Sequence, residues 1–151
     1  DSLKINDLVD KVEASRNLDS TIYDWKKLTG QTTDGGSKLI AWSQNNALKK
    51  IVQEVGLSYG RLTSTIYLHE NEPIKIIETE ENFILDNGEV DYQKLKLVFK
   101  EVIYIYSEDE KIPGEYNYDS LTKGERILSD NYCSITELFS PITLIQKEIR
   151  K

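Results

Sequence analysis

The sequence predicts an α+β protein: an antiparallel up-and-down β-meander of about six to seven strands, with an N-terminal helix and C-terminal helices packed on it. Residues 35–78 consist of apolar segments of roughly six to ten residues separated by turn residues, a rhythm typical of strands joined by short turns. Both ends of the chain instead carry apolar residues at helical spacing. Residues 1–151 are predicted to form a single domain, because no linker-like stretch divides them.

The first predicted element is a helix over residues 2–14. Ser2 is its predicted N-cap. Its apolar face, spaced i, i+3, i+4 and i+7, consists of Ile5, Leu8, Val9 and Val12. Residues 21–32 follow and are rich in β-branched and aromatic residues, so we predict a first strand there. A turn at residues 33–36 would lead into the next strand, over residues 38–43.

Residues 47–55 leave two interpretations open. Helical spacing, with Gly56 placed to end a helix, favours a helix. The residues that produce this spacing are Leu48, Ile51, Val52 and Val55. Asn45-Asn46 just before is a good two-residue hairpin turn, and strong strand patterns lie on both sides, which favours a strand. We predict a strand.

Residues 58–69 show the cleanest alternation in the chain. The predicted core face carries Leu62, Ile66 and Leu68, with Gly60 and Ser64 between them. The opposite, polar and aromatic face carries Tyr59, Arg61, Thr63, Thr65, Tyr67 and His69. Such alternation is typical of a sheet with one face on the core.

The second half of the chain predicts strands, but its sequence patterns are less regular. Residues 73–80 and 101–106 are predicted strands, and residues 80–91 an acidic connection. Residues 92–99 fit a short helix or a strand. A turn at 108–111 and a weaker return strand over 112–118 follow, with Pro113-Gly114 indicating an edge or a bulge.

The C-terminus is predicted to be helical. Ser134 and Glu137 match a capping box. Ser140 would cap a second helix with Pro141 in its first turn. The apolar face is Leu138, Ile142, Ile145 and Ile149.

Composition excludes several function classes. The net charge of −7 argues against nucleic acid or an anionic membrane as a partner, because both require a basic surface. No apolar run approaches the roughly 18 residues that span a bilayer. The single cysteine, Cys133, excludes an intrachain disulfide. The chain lacks methionine and starts at Asp1, which we interpret as the result of a cleaved signal peptide or of trimming.

Catalytic and metal-binding residues are sparse. His69 is the only histidine, so neither a hydrolase triad nor a zinc site has support, and we interpret His69 as exposed and idle. Cys133 would need His69 as its base, and a structural thiol is favoured. Residues 86–91 offer oxygen ligands of the kind calcium takes but lack the EF-hand pattern, which favours a solvated acidic turn. We interpret the acidic runs 78–81 and 108–110 as charged strand ends, and we predict no cofactor.

The aromatic residues are better candidates for a functional site, as a binding surface. Alternation could gather several of them on one sheet face, where they would hold a protein partner or an apolar ligand. The predicted binding residues are Trp42, Tyr59, Arg61, Tyr67, Tyr104 and Tyr106. The alternative is that the C-terminal helix covers this face and the tyrosines belong to the core.

A loose motif of strands and turns resembles a set of uncharacterised bacterial exported proteins and lipoproteins. The matching pieces are Gly35-Gly36, Trp42, Leu48-Lys49-Lys50-Ile51, Gly60, Tyr67, Pro73-Ile74, the run 102–106 and the run 108–112. The resemblance implies an antiparallel meander, which adds weight to the strand at 47–55. It also implies export, to the periplasm, to the outer membrane through a lipid anchor upstream of Asp1, or by secretion. It implies no known reaction.

The resulting prediction is a cell-envelope binding or interaction domain without catalytic machinery. One alternative is a small enzyme that acts through carboxylates and tyrosines converging in a deep pocket. The other is a carrier of a small apolar ligand, which requires a cavity between sheet and helix.

Overall fold

The structure, a computed structural model, describes residues 1–126 and 138–150. Helices lie at Ser2–Ala14 (α1), Trp25–Thr29 (α2) and Ser140–Ile149 (α3). The strands are Asp19–Tyr23 (β1), Ser37–Gln44 (β2), Ala47–Leu57 (β3), Gly60–His69 (β4), Glu72–Asp86 (β5), Glu89–Glu108 (β6) and Tyr116–Gly124 (β7).

All seven strands form one antiparallel sheet in the order β1-β2-β3-β4-β5-β6-β7. Each strand therefore pairs with its neighbours in sequence, as the meander prediction requires. Two-residue turns join most of them. Asn45-Asn46, Glu70-Asn71 and Asn87-Gly88 all have positive φ, which suits the tight hairpin turns that match the twist of a sheet.

A helix covers each face of the sheet. The face under α3, called the α3 face, carries the larger apolar core, including Leu39, Ile51, Ile66 and Ile76, none of which is exposed. On the opposite face, called the α1 face, Ile5 and Val9 of α1 pack with Tyr67 and with half-buried neighbours such as Ile77 and Tyr104. No helix in the described part of the chain is long and apolar enough to cross a membrane.

Residues 47–55 are a strand, and a β-bulge explains why they resemble a helix. Trp42 pairs with Lys50 and Ser43 with Leu48, so Lys49 is an extra residue in β3. A bulge lets side chains three apart point the same way. Leu48 and Ile51 therefore both reach the α3 core, which reproduces the i, i+3 spacing of a helix.

Several predicted boundaries are wrong. Residues 21–32 are not one strand, because the Asp24 carboxylate accepts a hydrogen bond from Lys27 N and starts α2, which Gly30 ends at φ 71°. Residues 80–91 are not a connection but the ends of two strands joined at Asn87-Gly88. Residues 92–99 are strand.

Other corrections concern the chain ends. Asp1, not Ser2, caps α1, since its carboxylate accepts from Lys4 N. Phe139 rather than Ser140 occupies the N-cap of α3, although Pro141 lies in the first turn as predicted. The return strand begins at Tyr116, because Gly114 at φ 89° belongs to a turn. The predicted capping box of Ser134 and Glu137 lies outside the described residues.

Candidate functional site

One row of side chains crosses the α1 face from β2 to β7. In register order this row, called the aromatic row, consists of Trp42, Lys50, Tyr67, Lys75, Tyr104 and Asp119. The Lys50 ammonium lies 5.0 Å from the centroid of the Trp42 ring and 5.6 Å from that of Tyr67. The Lys75 ammonium lies 5.1 Å from the Tyr104 ring centroid. The ring faces thus attract both ammonium groups, a contact worth about 0.5–1 kcal/mol at exposed sites.

This row holds helix α1. The Glu13 carboxylate accepts hydrogen bonds from Lys50 Nζ at 2.6 Å and from Tyr67 Oη at 2.7 Å. Asn6 Oδ1 accepts from Lys75 Nζ at 2.9 Å. The bond from Lys50, followed by that from Tyr67, lowers the pKa of Glu13. Burial, and then the bond to Glu13, raises the pKa of Tyr67.

The six predicted binding residues do not form one site. Trp42, Tyr67 and Tyr104 share the row under α1. Tyr106 lies beside its far end, where its hydroxyl donates to Asp119 Oδ2 at 2.9 Å and this bond raises its pKa. Tyr59 and Arg61 lie at the other end of β4, and Arg61 pairs with Glu54 at 3.2 Å. The N-terminal helix, not the C-terminal one, therefore covers part of the predicted aromatic surface.

A charged cluster interrupts the α3 core. The Arg126 guanidinium donates to Glu78 at 2.5 Å, lies 3.5 Å from Glu101 and stacks 4.4 Å from the centroid of the Phe99 ring. Glu78 also accepts from the Ser64 hydroxyl at 2.9 Å. Beside this cluster is a cavity of about 270 Å³, which Glu78, Arg126 and aliphatic side chains from the sheet and α3 line.

Glu80 lies two residues beyond Glu78 and is 1% exposed. The interpretation of residues 78–81 as charged strand ends is wrong, because the run lies in the middle of β5 and Glu80 is buried there. Burial raises the pKa of Glu80, Arg126 partly opposes this, and the negative charge of Glu78 adds to it. Burial and the charge of Glu80 together raise the pKa of Tyr59. The sequence carried a signal for this placement, since Glu78 and Glu80 continue the alternation of Ile76.

The β5–β6 hairpin projects from the sheet. Asn82 is the last β5 residue paired with β4, and β7 pairs with β6 only from Phe99 onward. Phe83 N still donates to Tyr59 O, just before β4, so residues 84–97, called the hairpin arm, form a ribbon of only two strands. Its exposed apolar side chains are Ile84, Leu85, Val90, Tyr92 and Leu97, five of the twelve large exposed apolar side chains in the described residues.

The other candidate residues gain no catalytic geometry. The His69 side chain is 44% exposed, with Glu70 3.8 Å away as its nearest carboxylate. Within residues 1–126 and 138–150, no three histidine, cysteine or acidic side chains are grouped to hold a metal ion. Asn87-Gly88 of the predicted acidic turn is a hairpin turn. Cys133 lies outside the described residues.

No family model, no curated protein and no solved structure matches this chain. The resemblance to bacterial exported proteins therefore stays a prediction.

Proposed function

We propose that this protein is a non-enzymatic binding domain that holds a protein partner through its hairpin arm. The observation that carries the proposal is the concentration of exposed apolar side chains on the arm. A ribbon of two strands is marginally stable alone and cannot bury both of its faces. Large apolar side chains that stay exposed together on such a projection are typical of an interaction surface.

The acidic side chains at the tip of the arm indicate which charge the partner should carry. The apolar tip residues Leu85 and Val90 alternate with the acidic side chains Asp86, Glu89 and Asp91, and the whole chain carries a net charge of −7. A complementary partner would offer an apolar groove bordered by basic residues. Its association rate would fall as salt is added, because ionic strength screens long-range attraction between opposite charges.

The arm has better support than the aromatic row as the contact surface. Tyr67 is only 6% exposed, and Trp42 and Tyr104 are partly buried in the same row. A partner at the row would have to displace α1 and break the hydrogen bonds of Glu13 and Asn6. The arm requires no such rearrangement.

The two alternatives have less support. A carrier of wholly apolar ligands needs a cavity without charged groups, whereas Glu78 and Arg126 line the cavity of about 270 Å³ beside α3. A further cavity of about 610 Å³ between α2 and α3 also has polar lining residues, among them Gln31 and Gln53. An enzyme needs acidic and tyrosine side chains aimed into one deep pocket. Tyr67 is instead bonded to Glu13 under α1, and Tyr106 to Asp119 on β7.

Site-specific photo-crosslinking in the source cells tests the proposal. A photoreactive residue at Leu85 or Tyr92 is expected to give one adduct of defined mass. The matched control is the same residue at Ile22, which is 79% exposed but lies on β1. The double substitution of Leu85 and Tyr92 by serine should abolish the adduct at a third arm position, Val90. Equal adducts from Ile22 and from the arm, or none from the arm, would refute the proposal.

Residence in the cell envelope is part of the proposal and has the sequence resemblance as its only support. Fractionation of the source cells is expected to recover the protein in the periplasm or attached to the outer membrane. Recovery in the cytosol, with an initiator methionine in place of a leader, would remove this part and leave the arm proposal intact.

A further inference from the structure

On the α3 face, the side chains of β5 change from apolar to polar along the strand. Alternate residues of a strand point to the same face, so Ile76, Glu78, Glu80 and Asn82 all face α3. Ile76 is fully buried in the apolar core, and Glu80 is buried almost as completely. A carboxylate thus occupies a position whose surroundings exclude water.

Arg126 directly contacts two of the three nearby carboxylates. Its guanidinium contacts Glu78 and Glu101 directly, while Ser64 supplies a further donor to Glu78. The cluster therefore contains three carboxylates for one guanidinium. Its potential is negative when all three are ionised, and Glu80 is the carboxylate that Arg126 does not bond.

Glu80 and Asn82 present buried acceptors without donors. Neither Glu80 Oε1 nor Oε2, nor Asn82 Oδ1, has a hydrogen-bond partner in the described part of the chain. Buried polar atoms in native proteins are nearly always satisfied, because an unsatisfied one costs about 1–3 kcal/mol, and more when charged. Three such oxygens from two adjacent inward positions therefore mark a place where a donor group fits.

The geometry points to a binding site for a primary ammonium group at Glu80 and Asn82. An ammonium carries one positive charge and three N–H donors, which matches one carboxylate that no cation contacts directly and three oxygens without a hydrogen-bond partner. A divalent metal ion fits less well, since Glu78 and Glu101 already contact Arg126 and no three carboxylates among the described residues are placed to hold one ion.

The cavity that Glu78 lines, two positions along β5 from Glu80, would receive the rest of the ligand. Leu62 pairs with Glu80 across the strands and also lines the cavity of about 270 Å³. Its other aliphatic lining residues are Val55, Leu138 and Pro141. The expected ligand is therefore an amine with a short aliphatic chain. Both a free alkylamine and a lysine side chain of a peptide have this chemistry.

Calorimetric titration of the whole chain at pH 7 tests the site, with butylammonium as the probe. Butanol has the same chain without the charge, and tetramethylammonium has the charge without N–H donors. Butylammonium is expected to bind at least ten times more tightly than either. A blocked lysine amide that binds more tightly than butylammonium would identify a peptide as the source of the ammonium, and the reverse order would identify a free amine.

Glu80→Gln is expected to weaken butylammonium binding at least tenfold. Glu81→Gln is the matched control, because it makes the same charge change on the opposite face of β5 and should leave binding unchanged. If Glu80→Gln does not fold, the carboxyl carbon signal of Glu80 in the wild-type protein, followed by NMR, should move on addition of butylammonium.

Four results would overturn the inference. The first is equal binding of butanol and butylammonium. The second is an equal effect of the Glu80 and Glu81 substitutions. The third is calcium binding that depends on Glu80 and displaces the amine. If no probe binds and the Glu80 carbon does not respond, the inference is also wrong, and Glu80 is instead a protonated core residue.

Discussion

Replacing Tyr67 by phenylalanine should loosen helix α1 by a defined amount. The substitution keeps the ring, and with it the packing against Ile5 and Val9 and the contact with the Lys50 ammonium. It removes only the hydroxyl that donates to Glu13 at 2.7 Å. The change in stability therefore measures one hydrogen bond between the sheet and the helix.

The magnitude follows from the exposure of the acceptor. A hydrogen bond to a charged group contributes about 1.5–3 kcal/mol. The Glu13 side chain is 46% exposed, so water replaces part of the lost bond, and Lys50 still pairs with the carboxylate. Because solvent screens such contacts, we expect Tyr67→Phe to lower the free energy of unfolding by about 1 kcal/mol at pH 7.

The pH dependence has a definite sign. The pKa of Glu13 is lowered in the folded protein, mainly by the bonds from Lys50 and Tyr67. Its contribution to stability is therefore fully present above the ordinary glutamate pKa of about 4.3 and is lost as the pH falls through the lowered value. The effect of Tyr67→Phe should shrink accordingly in strong acid.

Urea unfolding at pH 7 and at pH 3 measures these quantities. A double-mutant cycle with Glu13→Gln isolates the coupling between the two side chains. Tyr104→Phe is the matched control, since Tyr104 packs in the same cluster but its hydroxyl makes no hydrogen bond within the described chain. A coupling energy near zero at pH 7, or a loss that does not shrink once Glu13 is protonated, would refute this explanation of how α1 is held.

Three further predictions concern the sheet. The raised pKa of Glu80 means that the wild-type protein loses stability as the pH rises from the ordinary glutamate pKa through the raised value, by about 1.4 kcal/mol for each unit of the shift. Glu80→Gln should remove this loss in urea titrations at pH 4 and pH 8, and an unchanged pH profile would contradict it. Ile51→Ala should cost about 2–5 kcal/mol because Ile51 is fully buried, whereas Ile22→Ala on the exposed side of β1 should stay within about 0.5 kcal/mol. Comparable losses of melting temperature for the two would contradict the assigned register. Gly60→Ala should prevent normal pairing of β4 and β5, because its Cβ would lie 1.8 Å from the Glu81 carbonyl oxygen. Soluble expression with native circular dichroism would count against that close approach.

The arm illustrates why the sequence predicted a connection where the structure has strands. Residues 80–91 are acidic and contain Asn87-Gly88, and both features are typical of loops. The same dipeptide is also a two-residue hairpin turn, so the strands extend up to it from both sides. Only the pairing register shows that β4 and β7 end before the arm does, which leaves its apolar side chains exposed.

The candidate sites were partly predictable. Alternation placed Tyr67 and Ile66 on opposite faces of the sheet. This is confirmed, since the two side chains belong to different clusters on the two faces. Alternation also extended to Glu80, but the chain alone offered no reason to expect a carboxylate in a core position. The roles of Lys50 and Glu13 could not be predicted, because the two residues lie 37 positions apart and meet only when α1 docks.

The sequence by itself determined the local structure: the N-terminal helix, the positions of most turns, and the alternation that gives β4 its two faces. These depend on backbone preferences and on side-chain spacing within a few residues. Tertiary structure decided the rest. It decided between strand and helix at residues 47–55, where a bulge in β3 accommodates the helical spacing and pairing with β2 and β4 holds the strand. It also covered the aromatic row with α1 and buried Glu80, because both depend on which distant segments meet across a face of the sheet.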